Sequence, residues 1–231
     1  MNLCLTCRRR IRTCVCDHLK PFETETRYLI LMHPMEHKKE KVGTGRFTHL
    51  ILKNSRIFVG INFDQDKDFQ SALCDPDYET FLLYPGDDAL EIENGFAERR
   101  PSRPLQIIVI DGTWPCAKKM MKLTTTLHET PRLSFTPGKT SEFKIKHQPM
   151  EGCLSTVESI YQVIRGLNAA GIEKTGAKEE NLMEVFRKTV EQQIECAKEP
   201  GDGYRKKPFS LPEERKTSKK WSKRLLFFRG L

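Results

Sequence analysis

The chain has 231 residues, of which 38% are hydrophobic and 30% are charged, and thirteen are phenylalanines. A chain of this length buries roughly 70–75% of its unfolded surface, and its composition excludes disordered and collagen-like proteins. No apolar run approaches the roughly 20 residues that span a bilayer, and the first residues do not have the pattern of a signal peptide. We therefore expect a soluble, cytoplasmic, globular protein with no membrane partner.

The formal net charge is +8 and the isoelectric point is about 9.1, which suggests an anionic partner. From Tyr204 to the end, ten basic residues accompany only two acidic ones, so this stretch alone carries a charge equal to that of the whole chain. The rest is neutral overall, with a smaller basic group in residues 1–20. A diffuse excess of lysine is also common on soluble surfaces, so charge alone leaves the partner open.

Half of the eight cysteines lie close together at Cys4, Cys7, Cys14 and Cys16. Four thiolates at this spacing can close a tetrahedral zinc site, whose binding energy of about 10–16 kcal/mol orders small domains. We predict a structural zinc knuckle at residues 1–20. An unstructured cysteine-rich leader and a redox pair are the alternatives. The remaining cysteines are predicted to be small core side chains; they are Cys74, Cys116, Cys153 and Cys196.

After the knuckle, apolar runs of strand length alternate with segments of helical periodicity. The predicted strands are Arg27–Met32, Arg56–Gly60, Thr80–Tyr84, Leu105–Ile110 and Arg132–Phe135. The predicted helices are Arg46–Lys53 with Thr44 as a possible cap, about 66–73, about 114–123, Thr156–Leu167 and Lys178–Ala197. This alternation predicts an α/β fold with a mostly parallel sheet. The nearly continuous aliphatic run at 105–110 predicts a strand covered by helices on both faces.

Three loops that follow predicted strands have an unusual composition: HPME at 33–36, YPG at 84–86 and DGTW at 111–114. Ligands of open parallel sheets bind beyond the carboxyl ends of the strands. No phosphate-binding loop, zinc-protease, hydrolase or kinase signature is present. The DGTW loop places a carboxylate, a glycine, a hydroxyl and a large aromatic where a strand turns into a helix. Taken alone, that pattern is also typical of an ordinary helix cap.

Six motifs in this order resemble the DTW-domain family. They are CxxC and CxC at 4–16, HPME at 33–36, GTGR at 43–46, LLYPG at 82–86, DGTWPCAKKM at 111–120 and CLSTVESI at 153–160. The resemblance covers about residues 4–168. It implies a SPOUT-like fold, in which a topologically knotted α/β sheet binds S-adenosylmethionine. It also implies transfer of the 3-amino-3-carboxypropyl group of that molecule to the imide nitrogen of a uridine in tRNA, with release of methylthioadenosine.

The resemblance further implies which residues contact S-adenosylmethionine. The expected cofactor-binding residues are Tyr84, Pro85, Gly86, Gly112, Thr113, Trp114, Leu133, Leu154, Ser155 and Thr156. Ser155 or Thr156 together with Glu158 or Ser159 also has the pattern of a helix cap. Both roles can hold at once.

The uracil imide is a weak acid, so its attack requires removal of a proton. Asp111 is the first candidate for the base, and His33 is the second. Asp111 is a poor base at neutral pH unless burial raises its pKa above the usual value of about 3.9; otherwise it would hold the amino group of the co-substrate. A single histidine after a strand is more often structural. Glu36 is either solvated or an anchor for Arg46.

Basic residues at both ends of the chain are candidates for binding tRNA. They are Arg8, Arg9, Arg10, Arg12, Arg46, Lys219, Lys220, Lys223 and Arg224, with the aromatic Trp221 among them. Zinc would hold the first four arginines in a compact basic unit, and the tail would combine phosphate attraction with a stacking surface. A merely solvated charge run is the alternative, and the apolar end of the tail at 225–228 is also suited to docking on the body.

We divide the chain into a zinc knuckle at 1–20, a SPOUT-like catalytic domain at 21–200 and a basic extension at 201–231. Two other functions are kept as alternatives. The first is an RNA methyltransferase on the same fold, which would leave S-adenosylhomocysteine. The second is a non-catalytic, zinc-dependent RNA-binding module. The sequence leaves the oligomeric state and the identity of the target uridine open.

Overall fold

The computed structural model describes residues 3–39, 43–95, 100–136, 140–143 and 153–198. Its strands are β1 (Arg27–Met32), β2 (Ser55–Val59), β3 (Glu79–Leu83), β4 (Leu90–Glu91), β5 (Leu105–Asp111) and β6 (Arg132–Ser134). Its helices are α1 (Pro34–Lys39), α2 (Thr44–Ile51), α3 (Lys67–Leu73), α4 (Ile92–Gly95), α5 (Trp114–Leu123), α6 (Thr156–Ala169) and α7 (Glu180–Lys198). Every predicted strand and helix is present within about two residues of its expected ends, whereas α1, β4 and α4 were not predicted.

The six strands form one sheet in the order β2-β1-β5-β3-β6-β4, and all neighbouring strands are parallel. This confirms the predicted α/β class with its parallel sheet. β5 lies between β1 and β3, and its first five residues are buried. The continuous aliphatic sequence of β5 therefore reflects an interior position, as parallel sheets require. A knot in the chain path stays a prediction.

Helices cover both faces of the sheet. On one face, α2, α6 and α7 pack against alternate strand residues such as Tyr28, Ile30 and Ile107. On the other face, α3 and α5 pack against the intervening residues, including Leu31 and Ile108. This division follows from the two-residue periodicity of a strand, which sends successive side chains to opposite faces.

The connections after β1 and β5 pack on opposite faces of the sheet, because α2, which follows β1 and the short α1, lies on one face and α5, which follows β5, lies on the other. The two strands are neighbours, paired from Arg27 with Gln106 to Met32 with Asp111. Adjacent parallel strands whose connections diverge in this way open a crevice at their carboxyl ends. The motifs HPME and DGTW both begin at this crevice.

Two local predictions about capping and burial are wrong. Thr44 is not the cap of α2 but its first residue, because Gly43 takes the cap position with a φ of 21°. Of the four separate cysteines, Cys153 and Cys196 are buried as predicted, but Cys74 is exposed and Cys116 is half-buried. Within the described ranges, none of the helices combines the length and the apolar character that crossing a membrane requires.

Candidate active site

Asp111 is the last residue of β5, and only 4% of it is exposed. It lies on the same face of the strand as Ile107 and Val109, so its side chain enters the layer of α2 and α6. The Thr156 hydroxyl, at the first residue of α6, donates a hydrogen bond to Oδ1 of Asp111 at 2.5 Å. The predicted base and a predicted cofactor-binding residue are therefore in direct contact.

Gly45 allows the Asp111 carboxylate to lie against the first turn of α2. A Cβ added at Gly45 would be 2.4 Å from Oδ2 and 2.7 Å from Cγ of Asp111, so a side chain at this position would displace the carboxylate. The amino-terminal end of a helix carries partial positive charge, which favours a carboxylate there. This role of Gly45 was not predicted, although the glycine belongs to the recognised GTGR motif.

The DGTW motif does not act as a side-chain cap. Thr113 is the N-cap residue of α5, but its hydroxyl makes no capping hydrogen bond. The Asp111 side chain bonds to α6 instead. Gly112 lies in a narrow position, because an added Cβ would be 3.3 Å from Cβ of Cys116 and 3.5 Å from Cβ of His33. The motif thus directs its carboxylate to the opposite face of the sheet from α5.

His33 follows β1 and is buried beside Asp111. Its backbone N–H donates to the Asp111 carbonyl at 2.9 Å, and its Nδ1 accepts a hydrogen bond from the Met35 N–H at 3.2 Å. Burial, followed by the positive charge of Lys119, lowers the pKa of His33. The imidazole is therefore neutral near pH 7 with its acceptor nitrogen already engaged. This geometry favours a structural role over the catalytic role predicted for His33.

The neighbouring residue Glu36 is buried, so the alternative that it is solvated does not apply. Arg46 is half-buried at the first turn of α2, and its Nη2 donates to the His37 carbonyl at 3.0 Å. Burial and the charge of Arg8 lower the pKa of Arg46, and Cys7 and Asp111 act in the opposite direction. Arg46 therefore lies within electrostatic reach of both the knuckle and Asp111.

Two half-buried aromatic residues, Tyr84 after β3 and Trp114 at the start of α5, lie side by side with ring centroids 6.4 Å apart. Arg132 lies over the Tyr84 ring at 5.9 Å and forms an ion pair with Asp88 at 3.2 Å. An added Cβ at Gly86 would be 2.6 Å from Nη1 of Arg132, so a side chain there would shift the end of the Arg132 side chain. Arg132, at the start of β6, and Asp88 were not predicted as part of this site.

Ser155 and Glu158 form the predicted pair at the start of α6. The Glu158 carboxylate accepts hydrogen bonds from the Ser155 N–H at 2.8 Å and the Ser155 hydroxyl at 2.5 Å. It also accepts from the Ser141 hydroxyl and the Glu142 N–H, which fixes the segment at 140–143 against α6. The capping role is present. Of the other expected cofactor-binding residues, Pro85 is exposed, Leu154 is half-buried, and Leu133 is fully buried in the core.

The four cysteines of the knuckle converge on one point. Their Sγ atoms all lie within 4.8 Å of one another, with 3.6 Å between Cys4 and Cys16 and 3.7 Å between Cys7 and Cys14. Tetrahedral zinc with Zn–S bonds of about 2.3 Å requires S···S distances of roughly 3.8 Å. The cluster therefore has the size and ligand type of a structural zinc site.

The electrostatics of the thiols also suit a cation. Backbone N–H groups of Cys7 and Thr6 help to lower the pKa of Cys4 to about 6, whereas burial is the main cause that raises the pKa of Cys14 and of Cys16. Four neighbouring thiols cannot all be ionised because the negative charges repel one another. A divalent cation bound between them offsets this repulsion. Zinc is the ion that this donor set fits best.

The knuckle packs on α7 through Arg9, which corrects the prediction that Arg9 belongs to an RNA-binding surface. Arg9 is 8% exposed, and its guanidinium donates to the Thr189 hydroxyl at 2.9 Å and to the Gln192 side chain at 3.1 Å. Among the other candidates, Arg8 and Arg12 are exposed and Arg10 is half-buried. The tail candidates Lys219, Lys220, Trp221, Lys223 and Arg224 lie outside the described residues.

Comparison with known proteins gives one family match and several relatives. The sequence profile of the DTW domain matches residues 1–194. A Drosophila melanogaster protein named tRNA-uridine aminocarboxypropyltransferase 2 is 31% identical over 175 residues, which cover 73% of this chain and 67% of the relative. The Mus musculus protein of the same name is 30% identical over 159 residues, covering 67% of this chain and 53% of that protein.

A more distant relative matches over a longer stretch. The Arabidopsis thaliana tRNA-uridine aminocarboxypropyltransferase A is 25% identical over 224 residues, which cover 85% of this chain and 83% of the relative. No solved structure matches significantly. The profile match includes the cysteine cluster, Gly45, Asp111 and Thr156, so the site built above lies wholly within the matched region.

Proposed function

This chain belongs to the DTW-domain family, and from that premise we propose that it is a tRNA-uridine aminocarboxypropyltransferase. It moves the 3-amino-3-carboxypropyl group of S-adenosylmethionine to the imide nitrogen of a uridine in tRNA and releases methylthioadenosine. The names of the three relatives support the reaction class. The matched stretch spans 53% of the mouse relative.

One observation carries the proposal: a buried carboxylate lies at the crevice between β1 and β5. Asp111 is held there by the Thr156 hydroxyl and has its space preserved by Gly45. A carboxylate in this position serves no capping purpose for the helix that follows it. A buried, ionisable group at the ligand-binding edge of a parallel sheet is a typical functional centre.

Residues at the carboxyl ends of β3 and β5, on both faces of the sheet, fit S-adenosylmethionine, which is cationic, carries an amino acid group and has a flat adenine ring. Asp111 offers a negative charge for the ammonium group, and the half-buried Tyr84 and Trp114 offer apolar and π surfaces for the ring. Gly86 and Gly112 allow backbone to approach a ligand closely. When bound, the sulfonium supplies an activated carbon next to sulfur.

Asp111 has two chemical tasks open to it, and its surroundings favour one of them. A hydroxyl donor at Oδ1, the positive end of α2 and the nearby Arg46 all favour the negative charge. Burial, in contrast, disfavours that charge, and an ammonium group held beside the carboxylate offsets this cost. Orientation of the co-substrate, which can contribute several kcal/mol to catalysis, is therefore its main task, with proton removal from the imide as the second.

The tRNA is bound by charge away from Asp111. Arg8 and Arg12 on the knuckle are exposed, and the basic extension at 201–231 adds the charge found in the sequence. The zinc ion, bound by Cys4, Cys7, Cys14 and Cys16, gives the knuckle its shape.

Product analysis tests the proposal. The full chain is incubated with S-adenosylmethionine and unmodified tRNA, and mass spectrometry identifies the small product and the altered nucleoside. We expect methylthioadenosine and an aminocarboxypropyl uridine. S-adenosylhomocysteine with a methylated base would instead identify a methyltransferase. Intact tRNA binding without any turnover would identify a non-catalytic RNA-binding module, and either result would overturn the proposal.

A further inference from the structure

The outer surface of the knuckle carries exposed aliphatic side chains that are not part of its interior. Six large hydrophobic residues are exposed in the described part of the chain, and half of them lie on the knuckle. These three are Leu5 at 96%, Ile11 at 58% and Leu3 at 52% exposure. The interior of the knuckle is filled by other residues, including Cys7 and the fully buried Val15. Exposed apolar side chains grouped on one small element indicate a contact surface.

Basic residues lie close to these aliphatic ones in the sequence, since three arginines at 8–10 separate Leu5 from Ile11 and Arg12 follows Ile11. Leu3 pairs with Arg10 in an isolated antiparallel bridge, which places the two residues directly opposite each other. Arg8 takes a left-handed backbone conformation with a φ of 56°, an uncommon state for a residue with a side chain. The backbone turn formed by Arg8 N–H and the Cys4 carbonyl at 2.9 Å keeps it next to the metal ligands. The surface is thus both apolar and cationic. Unpaired nucleic acid presents base faces and anionic phosphates together, so its chemistry matches this surface.

This surface lies close to the crevice that contains Asp111. α2 connects the two places, because Gly45 lies against the Asp111 carboxylate, and Phe47 and Ile51 of the same helix share an apolar core with Cys7 of the knuckle. Burial and then the charge of Arg8 lower the pKa of Arg46, while Asp111 acts on it with the opposite sign. Arg8 and Asp111 therefore both lie within electrostatic reach of the same guanidinium.

The chemistry of the target defines what can lie next to it. The imide nitrogen of uracil is on the Watson–Crick edge, so a uridine can react there only when it is not base-paired. Nucleotides beside an unpaired uridine offer the faces of their bases as well as their phosphates. Side chains with apolar surface bind the faces, and arginines bind the phosphates.

We propose that Leu3, Leu5 and Ile11 of the knuckle contact the unpaired bases next to the target uridine, while Arg8 binds a neighbouring phosphate. This inference rests on the proposed function, since it takes the uridine imide as the reacting group. It gives the knuckle a second task beyond adding charge: it selects RNA with exposed bases over fully paired RNA.

The test compares a fluorescein-labelled RNA hairpin that has a uridine-containing loop with a fully paired duplex of the same stem sequence. Binding of the full chain is measured by anisotropy at several salt concentrations, without S-adenosylmethionine. The double variant Leu5→Ser, Ile11→Ser should bind the hairpin roughly tenfold more weakly and the duplex as before. Its salt slope should be unchanged, whereas Arg8→Ala should lower the slope by roughly 0.7–0.9.

Leu123→Ser provides the matched control, because Leu123 is an exposed leucine on α5 away from the knuckle. It should leave hairpin binding unchanged, and Leu5→Met, Ile11→Val should retain most of the affinity because apolar surface is preserved. Metal content and thermal unfolding are measured for every variant to confirm an intact knuckle.

Equal hairpin affinity for the double serine variant and the wild type would overturn the inference. A change from dimer to monomer in this variant, seen by light scattering without a change in hairpin affinity, would instead assign the surface to a second copy of the chain. Because binding is measured without turnover, failure here leaves the proposed reaction standing, and failure to form methylthioadenosine leaves the binding result standing.

Discussion

The knuckle and the Asp111 crevice are close in space but are stabilised in different ways. The knuckle owes its shape to four thiols around one point and to contacts such as Arg9 with α7. The crevice is supported by β5, α2 and α6, which share a large apolar core. The knuckle joins the same core through Cys7 and Val15 and adds four thiols that can hold a metal ion, whereas the crevice rests on packing alone. The difference suggests that RNA recognition and chemistry can be removed separately.

The two regions also differ in charge. The knuckle presents Arg8 and Arg12 to solvent, whereas the crevice combines the Asp111 carboxylate with a neutral His33. A cationic surface attracts an RNA of any sequence, and a buried carboxylate acts only on a group placed beside it. Four predictions test whether RNA binding and catalysis are separate in this way.

Loss of zinc should have the largest effect, and it should be confined to the knuckle. Structural zinc contributes about 10–16 kcal/mol of binding energy in small domains, so Cys4→Ser or Cys16→Ser should eliminate about one metal ion per chain, weaken tRNA binding and retain the circular dichroism of the α/β body. Elemental analysis gives the metal content.

Cys74→Ser is the control for the zinc prediction, because Cys74 is an exposed cysteine outside the cluster. This variant should keep its metal ion. A wild-type protein that is folded and carries no metal would contradict the assignment of the knuckle as a zinc site.

Gly45→Ala should disturb the crevice and spare the knuckle. The new Cβ would displace the Asp111 carboxylate, and misplacement of a catalytic group by about 1 Å can lower the rate roughly 100-fold. We expect that loss in turnover at saturating tRNA without a large change in tRNA affinity. Gly166→Ala is the matched control, since its Cβ would meet Ile92 instead; it should reduce stability more than turnover. Equal turnover of Gly45→Ala and wild type would show that the position of Asp111 is unimportant.

Deletion of the residues after Tyr204 should weaken tRNA binding by about tenfold or more and leave the reaction at saturating tRNA nearly intact. Each phosphate contact that is lost lowers the salt slope of binding by roughly 0.7–0.9 in log units. Titrations of tRNA at several salt concentrations measure this slope. An unchanged slope would mean that the tail does not contact the phosphate backbone.

Acidification should have the smallest effect. Burial and Lys119 lower the pKa of His33 in the folded protein, so the unfolded chain binds more protons as the pH falls below the ordinary value of 6.5. The free energy of unfolding should therefore decrease from pH 7 toward pH 5. Denaturant titrations should show a weaker decrease for His33→Asn. A pH dependence that is unchanged in this variant would contradict the neutral, buried state of His33.

The sequence was sufficient to predict the layers of the fold. β1 and β5 have nearly continuous apolar runs, which are typical of strands covered by helices on both faces. The sequences of α6 and α7 have clear helical periodicity. The short elements α1 and β4 were missed, because six and two residues carry too little periodicity. Pro34, expected only to stop a strand, also begins α1, where its fixed φ is compatible with the first turn.

The contacts of the site depend on tertiary structure and were not predictable in detail. Thr156 and Asp111 are 45 residues apart and meet only because α6 and β5 pack together. Gly45 reaches the same carboxylate through α2 on the same face of the sheet. Their motifs marked them as important, but the packing of α2 and α6 on one face of the sheet decides that they are neighbours.

Arg9 shows that a run of identical residues in the sequence does not reveal which of them will be buried. It stands in a run of three arginines, all of which have the same appearance in the sequence. The fold of the knuckle turns Arg9 inward to α7 and turns Arg8 outward. Charge patterns predict the presence of a basic element, and only the backbone path determines which side chains remain available to RNA.

The most direct test of the separation between catalysis and RNA binding is the variant Asp111→Asn, measured for turnover and for tRNA affinity in the same preparation. Asparagine keeps the size of the side chain and removes its negative charge. We predict that methylthioadenosine formation at saturating tRNA falls at least about 100-fold and that tRNA affinity stays within about twofold. Asp77→Asn, at an exposed carboxylate before β3, should change neither. Undiminished turnover in Asp111→Asn, or a loss of tRNA affinity as large as the loss of turnover, would contradict a catalytic centre at Asp111 that is separate from the RNA-binding surface.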